Sequence, residues 1–153
     1  MSRNVGILLL KILKINNLKS IWSLFKRSPG NPRNSRELGE FGENRAAEYL
    51  MREKDLKIVC RNWRDGRDEI DLVAWDREVL VFVEVRTRQT DALVSGYHSV
   101  GVKKKKVLQR VFRAYRKSLR PHPKHYRFDI VDVAYRSDSD FQVYHYSCVP
   151  IKF

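Results

Sequence analysis

The sequence predicts an α/β domain built on a mixed β-sheet with flanking helices, in the order α-β-β-β-α-β-β, preceded by an N-terminal helical extension. Three observations carry this. Residues 57–63 and 68–88 read as three contiguous strands, and 125–134 and 141–146 read as two more. Amphipathic helical stretches lie before the first block, at 38–54, and between the blocks, at 102–119. Contiguous strands followed by a helix and further strands argue for one sheet with helices packed on it.

The chain has 153 residues, enough for one domain with a sizeable core plus an appendage. Its formal net charge is +13, and the excess is unevenly placed. Residues 1–36 hold eight Lys/Arg and no acids, and residues 101–127 hold eleven and no acids. The remainder is net acidic. Such a chain suits a polyanion held by basic flanks, with a metal ion at an acidic centre; a soluble domain with solvated basic helix faces is the alternative. Cys60 and Cys148 form neither a zinc pattern nor a disulfide framework, which suggests a reduced, cytoplasmic protein.

Residues 1–36 divide from a domain spanning 37–153. Lys11, Lys14 and Lys19 interrupt the apolar stretch Val5–Phe25, so it falls short of a spanning helix, and its uninterrupted run Val5–Leu10 is too short for a signal peptide. From Ile15, an apolar stripe of Ile15, Leu18, Ile21, Trp22 and Phe25 predicts a helix, with a break near Asn16-Asn17. Three roles stay open: a packing or partner-binding helix, a peripheral helix on an anionic membrane surface through residues 1–27, and a poorly ordered arm. Ser28-Pro29-Gly30-Asn31-Pro32 reads as the linker.

The first helix of the domain, Leu38–Lys54, is expected to bury Leu38, Phe41, Ala46, Tyr49 and Leu50. Glu37, Glu40 and Glu43 fall in its opening turns, where the dipole favours anions. Glu43 reads either as a solvated acid or as a carboxylate facing the strands. Lys57–Trp63 is the first strand, and Asp65-Gly66 the turn after it. Asp68 onward, with a turn at Asp76-Arg77, gives the second and third. Side chains alternate on a strand, so Glu69 and Asp71 share a face, as do Phe82, Glu84, Arg86 and Arg88. A carboxylate in a Val-rich run is costly unless a cation pairs with it, and adjacent strands could bring Asp71 and Glu84 together around one. Thr87–Val100 reads as a long polar loop.

Val102–Leu119 is expected to bury Leu108, Val111, Phe112, Tyr115 and Leu119. Lys103, Lys104, Lys105 and Lys106 at its start oppose the helix dipole, and a nearby phosphate would relieve that conflict. With Gln109, Arg110 and Arg113 on the same helix, and Arg64 and Arg88 on the strands, they are the expected nucleic-acid contacts. Pro121 and Pro123 end the helix. His125–Ala134 and Phe141–Tyr146 follow as strands, joined at Ser137–Asp140.

The segments Leu38-Gly39-Glu40-x-Gly42-Glu43-x-x-Ala46-Ala47-x-Tyr49-Leu50, Arg61-Asn62-Trp63-Arg64, Glu69-Ile70-Asp71-Leu72-Val73-Ala74, Leu80 through Arg88, and Arg127-Phe128-Asp129-Ile130-Val131 together closely resemble the YraN-like uncharacterised bacterial protein family. The resemblance covers about residues 37–135. It implies a restriction-endonuclease-like fold, similar to Holliday-junction resolvases and other PD-(D/E)xK nucleases, with a site made of Glu43, Asp71 and Glu84-Val85-Arg86. Three departures stand out. Asp68 replaces a usual glycine, the N-terminal arm is longer, and the motif lysine is Arg86.

In such a site Asp71 and Glu84 would bind Mg²⁺ or Mn²⁺, and Glu43 would hold a metal-bound water, to cleave a phosphodiester in DNA, branched DNA included. Arginine stays charged and cannot act as the general base. Arg86 could orient a phosphate, stabilise transition-state charge, or pair with Asp71 or Glu84 in the metal's place. The expectation is therefore a metal-dependent endonuclease, with two alternatives: a nucleic-acid-binding protein that keeps the fold without cleaving, and a membrane-surface adaptor. A homodimer stays open, since no stretch marks a self-complementary interface.

Overall fold

A computed structural model of the chain describes residues 32, 34–89 and 101–151. Residues 1–31, with the predicted N-terminal helix and most of its linker, residue 33, the segment 90–100 and residues 152 and 153 lie outside the described residues. The elements run α1 (Ser35–Arg52), β1 (Lys57–Asp65), β2 (Asp68–Asp76), β3 (Val79–Gln89), α2 (Val102–Ser118), β4 (His125–Ser137) and β5 (Asp140–Tyr146). This is the predicted order. One five-stranded sheet holds the strands in sequence order, with β3 and β4 parallel and every other neighbouring pair antiparallel.

The sheet is buried on both faces, as a parallel pair at its centre demands. On one face Leu72, Ala74, Val81, Val83, Val131, Val133 and Tyr135 pack against Phe41, Ala46, Ala47 and Leu50 of α1. On the other, Val73, Leu80, Phe82, Phe128 and Ile130 pack against Leu108, Val111, Phe112 and Tyr115 of α2. Val149 and Ile151 of the C-terminal tail close the α2 side. Both predicted helix stripes are therefore core stripes.

The boundaries differ from the sequence expectation in physically legible ways. α1 starts at Ser35 because Asn34 caps it, accepting the Glu37 N–H at 3.0 Å while donating its own amide to the Glu37 carboxylate at 3.1 Å. The turns of the β1–β2 and β2–β3 hairpins fall one residue later than expected, at Gly66-Arg67 and Arg77-Glu78. Gly66 and Arg77 supply the positive φ of each turn, +60° and +52°. β3 extends beyond Thr87 to Gln89, since β4 is long enough to pair with Thr87, Arg88 and Gln89 through Val133, Ala134 and Tyr135.

Candidate functional site

Strand alternation breaks at one level of the sheet. Leu72 and Ala74 pack on the α1 side, yet Ile70, two residues before Leu72, packs on the α2 side. On the neighbouring strand Cys60 and Trp63 likewise share the α2 side despite opposite parity. Between them lie Asn62 on β1, with φ +50°, and Asp71 on β2, which face each other by register without pairing. The β2–β3 ladder also stops there: its last paired residues are Leu72 and Val83. The Asp71 carboxylate takes over, accepting the Val85 N–H at 2.6 Å. The strands part at Asp71, so its side chain is turned toward β3 rather than toward either helix.

Glu84 sits beside it, buried to 7% exposure between Val83 and Val85 of β3. Burial first, and the Glu84 carboxylate second, push the Asp71 carboxyl up from 3.8 to about 7, while the Val85 N–H and Lys104 oppose the rise. Glu43 adds a smaller push in the same direction, so α1 also presents its acid to this place. Glu43 itself is raised by burial against the opposing effects of the Asn62 side chain and Arg61. It borders a cleft of about 390 Å³ between α1 and the β1 edge, lined also by Glu40, Asn44, Cys60, Arg61 and Asn62. Across that cleft Arg61 donates to the Asn44 side chain at 2.7 Å.

A glycine makes this approach of α1 feasible. A Cβ on Gly42 would lie 1.7 Å from the Thr87 hydroxyl oxygen, so the helix can touch β3 here only with glycine at the contact. Glu43 follows Gly42 directly and is carried in with it.

The predicted carboxylates thus come together, and the predicted cations divide. Lys104 of α2 places its ammonium 2.9 Å from Glu84 Oε2. That contact is a close ion pair without directed hydrogen-bond geometry, since Oε2 has no hydrogen-bond partner. Arg110 grips Asp68 through two hydrogen bonds of 2.6 and 2.8 Å, Arg64 pairs with Glu69 at 2.8 Å, and Arg88 with Asp132 at 2.9 Å. Arg86 is half-buried on β3, in register with Asp132 of β4. Lys103, Lys106 and Arg113 are exposed on the outer face of α2, with Lys105 and Gln109 half-exposed.

Sequence reasoning treated Lys104 as one phosphate contact among four and did not place it in the carboxylate site. It also passed over Asn62, whose only signal is its position in the Arg61-Asn62-Trp63-Arg64 segment. Among the described residues no group of three or more His, Cys, Asp and Glu side chains gathers as a ligand cage. Asp71 and Glu84 are the carboxylates that could hold Mg²⁺ or Mn²⁺, which accept few protein oxygens and keep several waters; they do not match a structural zinc site. Among the described residues no helix is long and apolar enough to cross a membrane.

A family model described as uncharacterised protein family UPF0102 matches residues 42–133. That span runs from Gly42 of α1 to Val133 within β4 and takes in Glu43, Asp71 and Glu84. Curated relatives named UPF0102 protein include one from Herpetosiphon aurantiacus, 34% identical over 115 residues, covering 72% of this chain and 91% of the relative. One from Desulfosudis oleivorans is 36% identical over 95 residues, 62% of this chain and 77% of the relative. One from Symbiobacterium thermophilum is 41% identical over 92 residues, 60% and 77%.

Proposed function

The chain belongs to the uncharacterised protein family UPF0102, and from that membership and the geometry above we propose that it is a metal-dependent nuclease acting on DNA. One observation carries the reading. Two carboxylates, Asp71 and Glu84, meet where strands part, and the Glu84 carboxylate disfavours the ionised state of Asp71. Folding like charges together this way is destabilising unless a cation belongs between them. Mg²⁺ or Mn²⁺ would be held by Asp71 and Glu84, and would supply charge neutralisation on the phosphate and an acidified water.

The protein's own residues have distinct parts in this. The Val85 N–H fixes the Asp71 carboxylate and leaves its other oxygen for a ligand. Glu43, brought in by α1, lies within charge range of Asp71 and can accept a hydrogen bond from a water in the site. Arg86 offers phosphate the planar donor fork of a guanidinium, a group suited to binding or orienting an anion rather than to moving a proton. The exposed Lys103, Lys106 and Arg113 extend a positive face from the site along α2 for the nucleic-acid backbone.

The test is incubation of the full chain with nicked, flapped and four-way branched DNA in Mg²⁺ or Mn²⁺. Cleavage that Asp71→Ala abolishes supports the reading. Cleavage that persists in Asp71→Ala belongs to another site or another protein.

A second reading, a DNA-binding protein that does not cleave, draws on the Lys104–Glu84 ion pair. An ammonium already stands at the carboxylates, and the motif lysine is replaced by Arg86. On that reading DNA binds with steep salt dependence and no metal yields product.

A further inference from the structure

The cation that stands at the carboxylates comes from the wrong element for a motif lysine, and its surroundings say what it is for. Lys104 lies in the first turn of α2, eighteen residues after Arg86. Its ammonium touches Glu84 and lies within charge range of both Asp71 and Asp68. Asp68 is already satisfied by the two-pronged grip of Arg110. That grip also ties α2 to the start of β2, and so fixes where Lys104 can reach. The lysine is left to balance Glu84 and Asp71 alone.

The contact is a weak form of a strong interaction. Glu84 Oε2 is buried, has the ammonium 2.9 Å away, and still has no directed donor. A side chain selected only to neutralise Glu84 would complete that hydrogen bond. Lys104 is also the half-exposed partner of the pair, its side chain 33% accessible, and can swing to solvent at little cost. A divalent ion at the same distance attracts a carboxylate about twice as strongly as an ammonium does.

We propose that Lys104 is the amine of this site: it balances Glu84 and Asp71 until a divalent cation takes its place, and is then released to the phosphate of the bound DNA. Lys104 thereby alternates between a carboxylate and a phosphate from the helix, while Arg86 stays on β3 opposite Asp132. This rests on the metal-dependent reading above and adds to it an internal competitor for the metal. The same displacement accounts for an ammonium in a site built to hold a metal.

The test uses Mn²⁺ alone, titrated by calorimetry into the full chain and into Lys104→Gln, Lys104→Arg and Arg86→Gln. With the competitor removed, Lys104→Gln binds Mn²⁺ roughly tenfold tighter than the parent, because no fraction of the site is held by the ammonium. Lys104→Arg and Arg86→Gln stay within about twofold. Metal-free Lys104→Gln melts below the parent, and Mn²⁺ raises its melting temperature more than the parent's. Saturating Mn²⁺ reveals the second half: Lys104→Gln then binds DNA more weakly than the parent, while without metal the two bind alike. A purely structural lysine would lower stability without tightening Mn²⁺.

Unchanged or weaker Mn²⁺ binding in Lys104→Gln, or a gain seen in Arg86→Gln instead, overturns the proposal while leaving the nuclease reading intact. If neither the parent nor any variant binds millimolar Mn²⁺, both fall together. Should Lys104→Gln not fold without metal, refolding in millimolar Mn²⁺ decides, recovery supporting the exchange and failure refuting it.

Discussion

Removing the charge of Asp71 should make this protein more stable at alkaline pH, even though it removes a residue of the site. Burial and the Glu84 carboxylate raise the Asp71 carboxyl from 3.8 to about 7. Between those values the folded protein holds a proton that the unfolded chain has released. Stability therefore falls as pH rises through the window, and the full penalty stands above about pH 7. Below about pH 4 both states are protonated and the penalty is absent. Moving a carboxyl from 3.8 to about 7 corresponds to about 4 kcal/mol. Because part of the rise comes from the Glu84 carboxylate and Lys104 opposes it, we expect about 2 kcal/mol of it to appear in a single substitution. Asp71→Asn is the cleanest change, since its amide oxygen can still accept the Val85 N–H. Urea unfolding in chelator at pH 4, 6 and 8 should show no difference from the parent at pH 4 and a growing advantage for Asp71→Asn toward pH 8. A variant that is less stable at pH 8, or equally displaced at all three values, would refute the reasoning.

Other expectations follow from particular contacts. Gly42→Ala forces a Cβ to 1.7 Å from the Thr87 hydroxyl and should destabilise by about 1–3 kcal/mol, whereas Gly39→Ala meets no atom within 4 Å and should gain roughly 0.5–1 kcal/mol from helix propensity, both read by urea unfolding. Asp129→Ala should be among the most damaging changes, about 3–5 kcal/mol, because the fully buried carboxylate accepts from Arg127, the Cys148 N–H and His145; a loss under about 1 kcal/mol would mean that network is dispensable. Neutralising Lys103, Lys106 or Arg113 singly should lower the slope of log affinity for DNA against log salt by about 0.9 each. Arg110→Gln, whose parent side chain is occupied by Asp68, should change stability more than that slope.

The fold was readable because its signals are redundant. The α2 stripe Leu108, Val111, Phe112 and Tyr115 and the β3 run Leu80–Val83 each bury completely or nearly so, and period alone identifies them. The meeting of Asp71 and Glu84 was readable for the same reason, since an antiparallel hairpin fixes which residues oppose each other. The kink that turns Asp71 toward β3 was not. Alternation presumes an unbroken ladder, and nothing in Asn62 or Ile70 announces that the ladder breaks between them, apart from the tolerance of asparagine for positive φ. The cations were harder still. Four consecutive lysines spread around most of a helix, and only the seating of Leu108, Val111, Phe112 and Tyr115 on the sheet, with Arg110 on Asp68, decides which of them meets Glu84. Arg64 and Arg88 looked equally available for phosphate, yet Glu69 faces Arg64 directly across the β1–β2 hairpin, whereas Asp132 comes from the parallel strand β4, which spacing alone does not bring to Arg88.

The central claim is that Asp71 and Glu84 hold a divalent cation for phosphodiester cleavage. Single-turnover cleavage of branched DNA, followed against Mn²⁺ concentration, tests it most directly in the parent beside Asp71→Asn and Glu84→Gln. Our account predicts product only with metal in the parent, and none from either variant although both remain folded. Metal-independent product, or cleavage that survives both substitutions, would contradict it.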